Sequence, residues 1–168
     1  NSLFFPTSYG DENISGKPLF CDPDSGDYTL AENSPAVGAG ENGSNIGALG
    51  VGCESIDISL TINEIMQNPS AVSDSDGEWF EIFNSGEIEL DLNGWTIKDA
   101  GSDHYTISSS LIINPGEYKV LGINSNTGTN GGVNIDYQYS GSSNDITLSN
   151  GADEIILVDT YGVVFDSV

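Results

Sequence analysis

The sequence predicts an all-β protein. Three observations carry this. Proline and glycine punctuate the whole chain, no amphipathic helical stripe survives more than two turns, and strand-like runs recur at short intervals with turn residues between them. The chain has 168 residues, room for one sandwich of roughly 100 residues plus something smaller. A Gly-rich run from Gly38 to Gly52 ends where clean strand patterns begin. The expected division is therefore a turn-rich segment over 1–53, a linker over 54–58 and a sandwich domain over 59–168.

The first part holds short apolar clusters: Leu3-Phe4-Phe5, Pro18-Leu19-Phe20, Tyr28-Thr29-Leu30 and Ile46-Gly47-Ala48-Leu49. That is little apolar area for a segment that must fold alone. Cys21 and Cys53 are the only cysteines. They lack a CxxC spacing, and a single histidine cannot complete a usual zinc set. A Cys21–Cys53 disulfide is the expected use, with two buried free thiols as the alternative. The bridge would close a loop of about 30 residues and add roughly 3–4 kcal/mol in the chain-entropy model. It would also imply an oxidising compartment.

The second part reads as strands. They are 60–66 (LTINEIM), 78–84 (EWFEIFN) and 90–98 (LDLNGWTIK), the last open to a break at Gly94. HYTIS, SLIINPGEYKVLG, IDYQY and DITLSNGADEIILVDTYGVVFDSV follow. Asn114-Pro115-Gly116 reads as a turn, and Asn150-Gly151 and Tyr161-Gly162 sit where hairpin turns belong. Alternation proposes a core of Ile62, Ile65, Trp79, Phe83, Leu92, Trp95, Ile97, Ile107, Ile112, Tyr118, Val120, Ile146, Leu148, Ile155, Leu157 and Val164.

Charge narrows the function. There are 26 acidic residues against three lysines, Lys17, Lys98 and Lys119, and the formal net charge is −23. Such a field repels phosphates and anionic membranes, so neither nucleic acid nor a membrane surface is an expected partner. No stretch approaches the roughly 18 apolar residues that a spanning helix needs. Asn1 to Phe5 lacks a signal-peptide pattern, and the chain reads as a piece of a longer polypeptide.

The sharpest local signal is Ser73-Asp74-Ser75-Asp76-Gly77-Glu78. Two readings stand for it. Alternating side chains at Asp74, Asp76 and Glu78 could gather hard oxygen ligands around Ca²⁺, or the run is a solvated acidic turn between two strands. Asp24-Ser25-Gly26-Asp27 is a weaker cluster of the same kind. A catalytic constellation is not expected. Ser102, Asp103 and His104 are neighbours in sequence, and adjacent residues of a strand point to opposite faces. The loops at 124–134 (NSNTGTNGGVN) and 140–144 (SGSSN) read as connectors or as partner-binding loops.

Two resemblances extend this reading. The run PLFCDPDSGDYTLAENSPAVGAG, followed by NIGALG, resembles the C-terminal end of right-handed parallel β-helix proteins. Pro18, Leu19, Phe20, Asp22, Pro23, Gly26, Asp27, Tyr28, Leu30, Ser34, Pro35, Ala36, Gly40, Ile46, Gly47 and Ala48 carry it. It implies a solenoid upstream, whose last coil this segment would close, and it makes the Asp24–Asp27 cluster a plain turn. The landmarks INEIM, EWFEIFN, LNGWTIKD, INPGEYKVL and LSNGADEIILVD resemble the lamin tail domain, an immunoglobulin-like sandwich that also occurs in secreted bacterial proteins. Trp95 falls at the family's core tryptophan. The resemblance implies an immunoglobulin-like β-sandwich over 59–168. Lamin tails carry arginines and this chain has none, so chromatin binding does not carry over.

The expected function is a non-catalytic accessory module of a secreted or cell-surface protein. It would serve as spacer, adhesion or polymer-binding unit, meeting a polysaccharide or a surface protein as a monomer or weak dimer. Two alternatives stand beside it. One is the C-terminal fragment of a β-helix polysaccharide-degrading enzyme whose active site lies upstream. The other is a carbohydrate-binding module, which would need an exposed ring pair such as Trp79 with Tyr137 or Tyr139.

Overall fold

The computed structural model describes residues 14, 16–47, 49–139, 146–151 and 153–168. Ala48 and the 140–144 loop lie outside the described residues. The chain divides into two compact units between Asp57 and Ile58.

The first unit is built on a three-stranded sheet in the order β1-β2-β3. β1 (Phe20–Asp22) and β2 (Asp27–Ala31) form an antiparallel hairpin. Its turn places Gly26 at φ 88°, a conformation that glycine adopts without steric cost. Ser25 and Gly26 donate their N–H groups back to Asp22 and Pro23, so Asp24–Asp27 is a turn. β3 (Val51–Cys53) pairs parallel to β2, with Leu30 facing Val51. Cys21 and Cys53 are joined in a disulfide with their Cα atoms 5.8 Å apart. Leu19, Leu30, Ala31 and Ala36 make a small core. Ser34 adds to it by donating its hydroxyl to the Pro18 carbonyl at 2.6 Å. Much apolar surface stays outside: Tyr28, Leu49 and Val51 are all exposed.

The second unit is an immunoglobulin-like β-sandwich. One sheet has the order β11-β10-β5-β4, from β4 (Leu60–Met66), β5 (Trp79–Asn84), β10 (Tyr118–Gly122) and β11 (Tyr137–Gln138). The other has the order β13-β12-β7-β8, from β7 (Thr96–Lys98), β8 (His104–Thr106), β12 (Ile156–Val158) and β13 (Val164–Ser167). A ribbon of β6 (Leu90–Asp91) and β9 (Ile112–Ile113) completes it. The expected run at 90–98 is indeed broken: Gly94, at φ 84°, turns the chain between β6 and β7. Asn114-Pro115-Gly116 is the turn between β9 and β10, closed by Glu117 N–H to the Asn114 carbonyl at 3.0 Å. Tyr161-Gly162 turns the β12–β13 hairpin. Asn150-Gly151 lies in a bend, and the chain there is closed by Ser149 N–H donating to Asp153 rather than by a strand ladder.

The core joins both sheets: Phe80, Ile82 and Leu121 from the first, Ile97 and Leu157 from the second, Leu90 and Ile113 from the ribbon. Leu92, Trp95, Ile107, Ile146, Leu148 and Ile155 are buried as expected. Trp95 packs on Phe165 with ring centroids 4.5 Å apart. Other expected core positions lie on the wrong face. β5 turns Phe80, Ile82 and Asn84 inward, so Trp79 and Phe83 point outward. β10 likewise buries Leu121 and leaves Tyr118 exposed and Val120 half-buried. On β9, Ile113 is fully buried and Ile112 only partly. Val164 is exposed while Phe165 packs. Each error is a shift of one residue, which exchanges the faces of a strand. Ile62 packs partly against the core. Ile65 pairs with Phe80 but lies past a bulge on the edge strand and stays exposed.

Asn84 is polar, fully buried and fully used. Its amide donates to the carbonyls of Ile88 and Ile113, each at 2.9 Å, and its carbonyl accepts Gly86 N–H at 3.0 Å. Asn84→Ala would leave those three groups unpaired inside the protein. The expected cost is about 3 kcal/mol of unfolding free energy, read from urea denaturation at unchanged slope. At the 114–116 turn, the Glu117 carboxylate accepts Asn114 N–H, the Asn114 amide and the Lys119 ammonium. These bonds hold its pKa down to about 2, the Asn114 N–H contributing most. The stability they contribute is present above the ordinary glutamate value and is lost as pH falls towards about 2. Glu117→Gln should therefore flatten the acid limb of a thermal-midpoint profile below about pH 4.5.

Candidate functional site

Three segments meet at one end of the sandwich: 67–78, 123–134 and 146–151. The first contains α1 (Asp74–Gly77), a single helical turn begun at Ser73. Gly77 is required there because a Cβ would meet the side chains of Val72 and Pro69. A helical turn changes the geometry expected of this run. In an extended chain Asp74, Asp76 and Glu78 would share a face. In a helical turn, residues four apart share a face and the one between them does not.

The contacts follow that rule. Asp76 turns back to accept the Ser73 hydroxyl at 2.8 Å. Asp74 accepts the Asn150 amide at 2.7 Å. Glu78 is buried, only 5% exposed, and accepts Leu148 N–H at 3.0 Å. Its own carbonyl accepts Ile123 N–H. The three carboxylates are thus engaged by three different partners. Among the described residues, no group of three His, Cys, Asp or Glu side chains is arranged to hold a metal ion.

The electrostatics centre on Glu78. Burial pushes its pKa up, the Leu148 N–H opposes that, and the charges of Asp74 and Asp153 push it further up. Tyr139 is fully buried, and its hydroxyl has no hydrogen-bond partner among the described residues. Burial, and then the charge of Glu78, raise its pKa well above the ordinary tyrosine value. The polar side chains here hold loops. Glu78 ties the start of β5 to Leu148, and Asp74 ties α1 to Asn150. Asn130, also buried, organises the 124–134 loop: its amide donates to Asn124 and Val133 carbonyls, and its carbonyl accepts Gly132 and Val133 N–H.

The other residues that the sequence singled out resolve simply. His104 is exposed, with Nδ1 3.0 Å from the Ser102 carbonyl. Tyr137 and Tyr139 do not make an exposed platform with Trp79. Tyr139 is buried, and Tyr137 sits on the inward side of β11 opposite Leu121, with its hydroxyl bound by Ser108 N–H at 2.9 Å. Sequence reasoning missed Asn84 and Asn130. The signal for Asn84 was its place in phase with Phe80 and Ile82; for Asn130 it was an asparagine followed by two glycines.

A family model for the lamin tail domain matches residues 57–168. The chain belongs to the lamin tail domain family. A comparison with curated proteins found no match. In this lamin tail domain, as in an immunoglobulin-like module generally, the loops cluster at the ends of the sandwich. Here one such end is laced together by carboxylates.

Because Glu78 has a raised pKa in the folded state, its contribution is most favourable below the ordinary glutamate value and is lost as pH rises through the folded value. Glu78→Gln keeps an acceptor for Leu148 N–H and removes the buried charge. The expected result is a thermal midpoint close to wild type at about pH 4 and higher than wild type at neutral pH. Differential scanning calorimetry across that range checks it; parallel profiles would refute the buried-charge account.

Proposed function

We propose that this lamin tail domain chain is a non-catalytic accessory module of a secreted or cell-surface protein, acting as a spacer, adhesion or polymer-binding unit. The Cys21–Cys53 disulfide carries this reading, because such bridges persist in oxidising compartments. The acidic surface supports it: a net charge of −23 keeps a displayed module soluble and favours uncharged or cationic partners. The spending of polar side chains on loop architecture supports a rigid presenting role.

A second reading rests on the first unit. The parallel pairing of β2 with β3, one chain circuit apart, and the exposed Tyr28, Leu49 and Val51 favour a solenoid coil stacking there. On that reading the module terminates a β-helix protein, and any polysaccharide-degrading activity belongs upstream.

The test has two parts. Under non-reducing conditions, chain secreted to an oxidising compartment should carry the bridge quantitatively, and Cys21→Ser should remove about 3–4 kcal/mol from the first unit and open 16–57 to protease. Incubated with insoluble polysaccharides, the intact chain should co-sediment with a polymer without releasing reducing ends. Product release would show an enzyme and sink the accessory reading.

A further inference from the structure

The outward face of the β4–β5–β10 sheet carries a pattern that the fold does not use. With Phe80, Ile82 and Asn84 turned inward, Trp79, Glu81 and Phe83 line the outside. Three cross-strand rows result. Phe83 stands between Tyr118 on β10 and Thr61 on β4. The Phe83 and Tyr118 rings stack with centroids 4.4 Å apart at 27°, and Tyr118 is 49% exposed. Glu81 stands between Val120 and Glu64, and its Oε1 accepts the Asn63 amide at 2.6 Å. Trp79 stands between Gly122 and Met66, where Ile135 packs over the bare glycine. The lysine of β10, Lys119, is neutralised by Glu117 at 2.7 Å and Asp136 at 3.9 Å.

The chemistry selects an occupant. The main-chain groups of β5 are spent on ladders to β4 and β10, so a peptide cannot pair with β5 as a strand. What the face offers is two patches of ring surface with a row of carboxylates between them. Sugar rings present C–H faces that lie flat on aromatic rings, and ammonium groups are attracted both to those rings and to carboxylates. Glu64, Glu81 and the net charge of −23 repel uronates, sulfates and phosphates. We propose that this face binds an amine-bearing polysaccharide of the polyglucosamine type, its sugar rings over Phe83 and Tyr118 and its amines towards Glu81 and Glu64. The proposal rests on the polymer-binding reading above and names its site and ligand class.

The test is calorimetric titration of the full chain with a glucosamine hexamer at about pH 5.5, where the sugar amines carry charge. The fully N-acetylated hexamer and polylysine serve as comparison ligands. Tyr118→Ser alters an exposed side chain, and Glu81→Gln preserves shape, so neither need disturb folding. The glucosamine hexamer should bind, and Tyr118→Ser should weaken it about five- to tenfold. Glu81→Gln should weaken it while leaving binding of the acetylated hexamer unchanged. Polylysine binding as tightly, with Tyr118→Ser harmless, would mean charge alone and would overturn the proposal. So would absence of glucosamine binding. If another polymer binds with Tyr118→Ser unaffected, this site falls while the accessory-module reading stands; cleavage of the hexamer would sink that reading instead.

Discussion

The second unit depends on which face of β5 is buried. β5 pairs with β4 on one side and β10 on the other, so its inward side chains set the depth and register of a whole sheet. Phe80 and Ile82 supply apolar volume to the core. The third inward position is Asn84, whose amide joins β5 to the turn after it and to β9. A buried amide tolerates only an arrangement that satisfies its hydrogen bonds. Apolar burial thus drives the sheets together, and one polar group selects their register.

The strands were largely legible in the sequence and their faces were not. The run 60–66 coincides with β4, and the breaks at Gly94 and at Asn114-Pro115-Gly116 fall where backbone chemistry places them. EWFEIFN defeats a face assignment because Trp79, Phe80, Ile82 and Phe83 are all apolar. A period of two needs contrast between odd and even positions, and this strand has none. In YKVLG alternation placed Tyr118 and Val120 inward, but tertiary pairing buried Leu121. Trp95 was legible because alternation and the lamin tail resemblance both placed it in the core, where it packs on Phe165. The geometry of the 73–78 run was not legible for a different reason. Four residues of helix replaced an expected extended run, and the partner of Glu78 lies 70 residues away in sequence. No local pattern reports such a contact.

The acidic composition also has a structural side that a count of charges conceals. Many carboxylates accept backbone N–H groups that turns and edges leave over. Asp91 takes those of Asn93 and Leu111, Asp99 those of Gly101 and Asp103, and Asp159 those of Tyr161 and Val163. Asp136 takes Val120 N–H, and Asp166 on β13 takes Ile62 N–H on the edge strand β4. Charge-assisted bonds of this kind are stronger than neutral ones, and an occupied edge N–H is a poorer template for another strand. Aspartate in this chain closes loops as well as coating the surface.

The bridge in the first unit acts on more than thermodynamic stability. Cys21 and Cys53 are 32 positions apart, a span that would reach about 110 Å if drawn out straight. The covalent link withholds that contour length. A pull on the two ends of this unit runs through the sulfur atoms and bypasses β2, which lies wholly within the loop. Under tension the segment therefore behaves as a strap of fixed length, and its sheet need not bear the load.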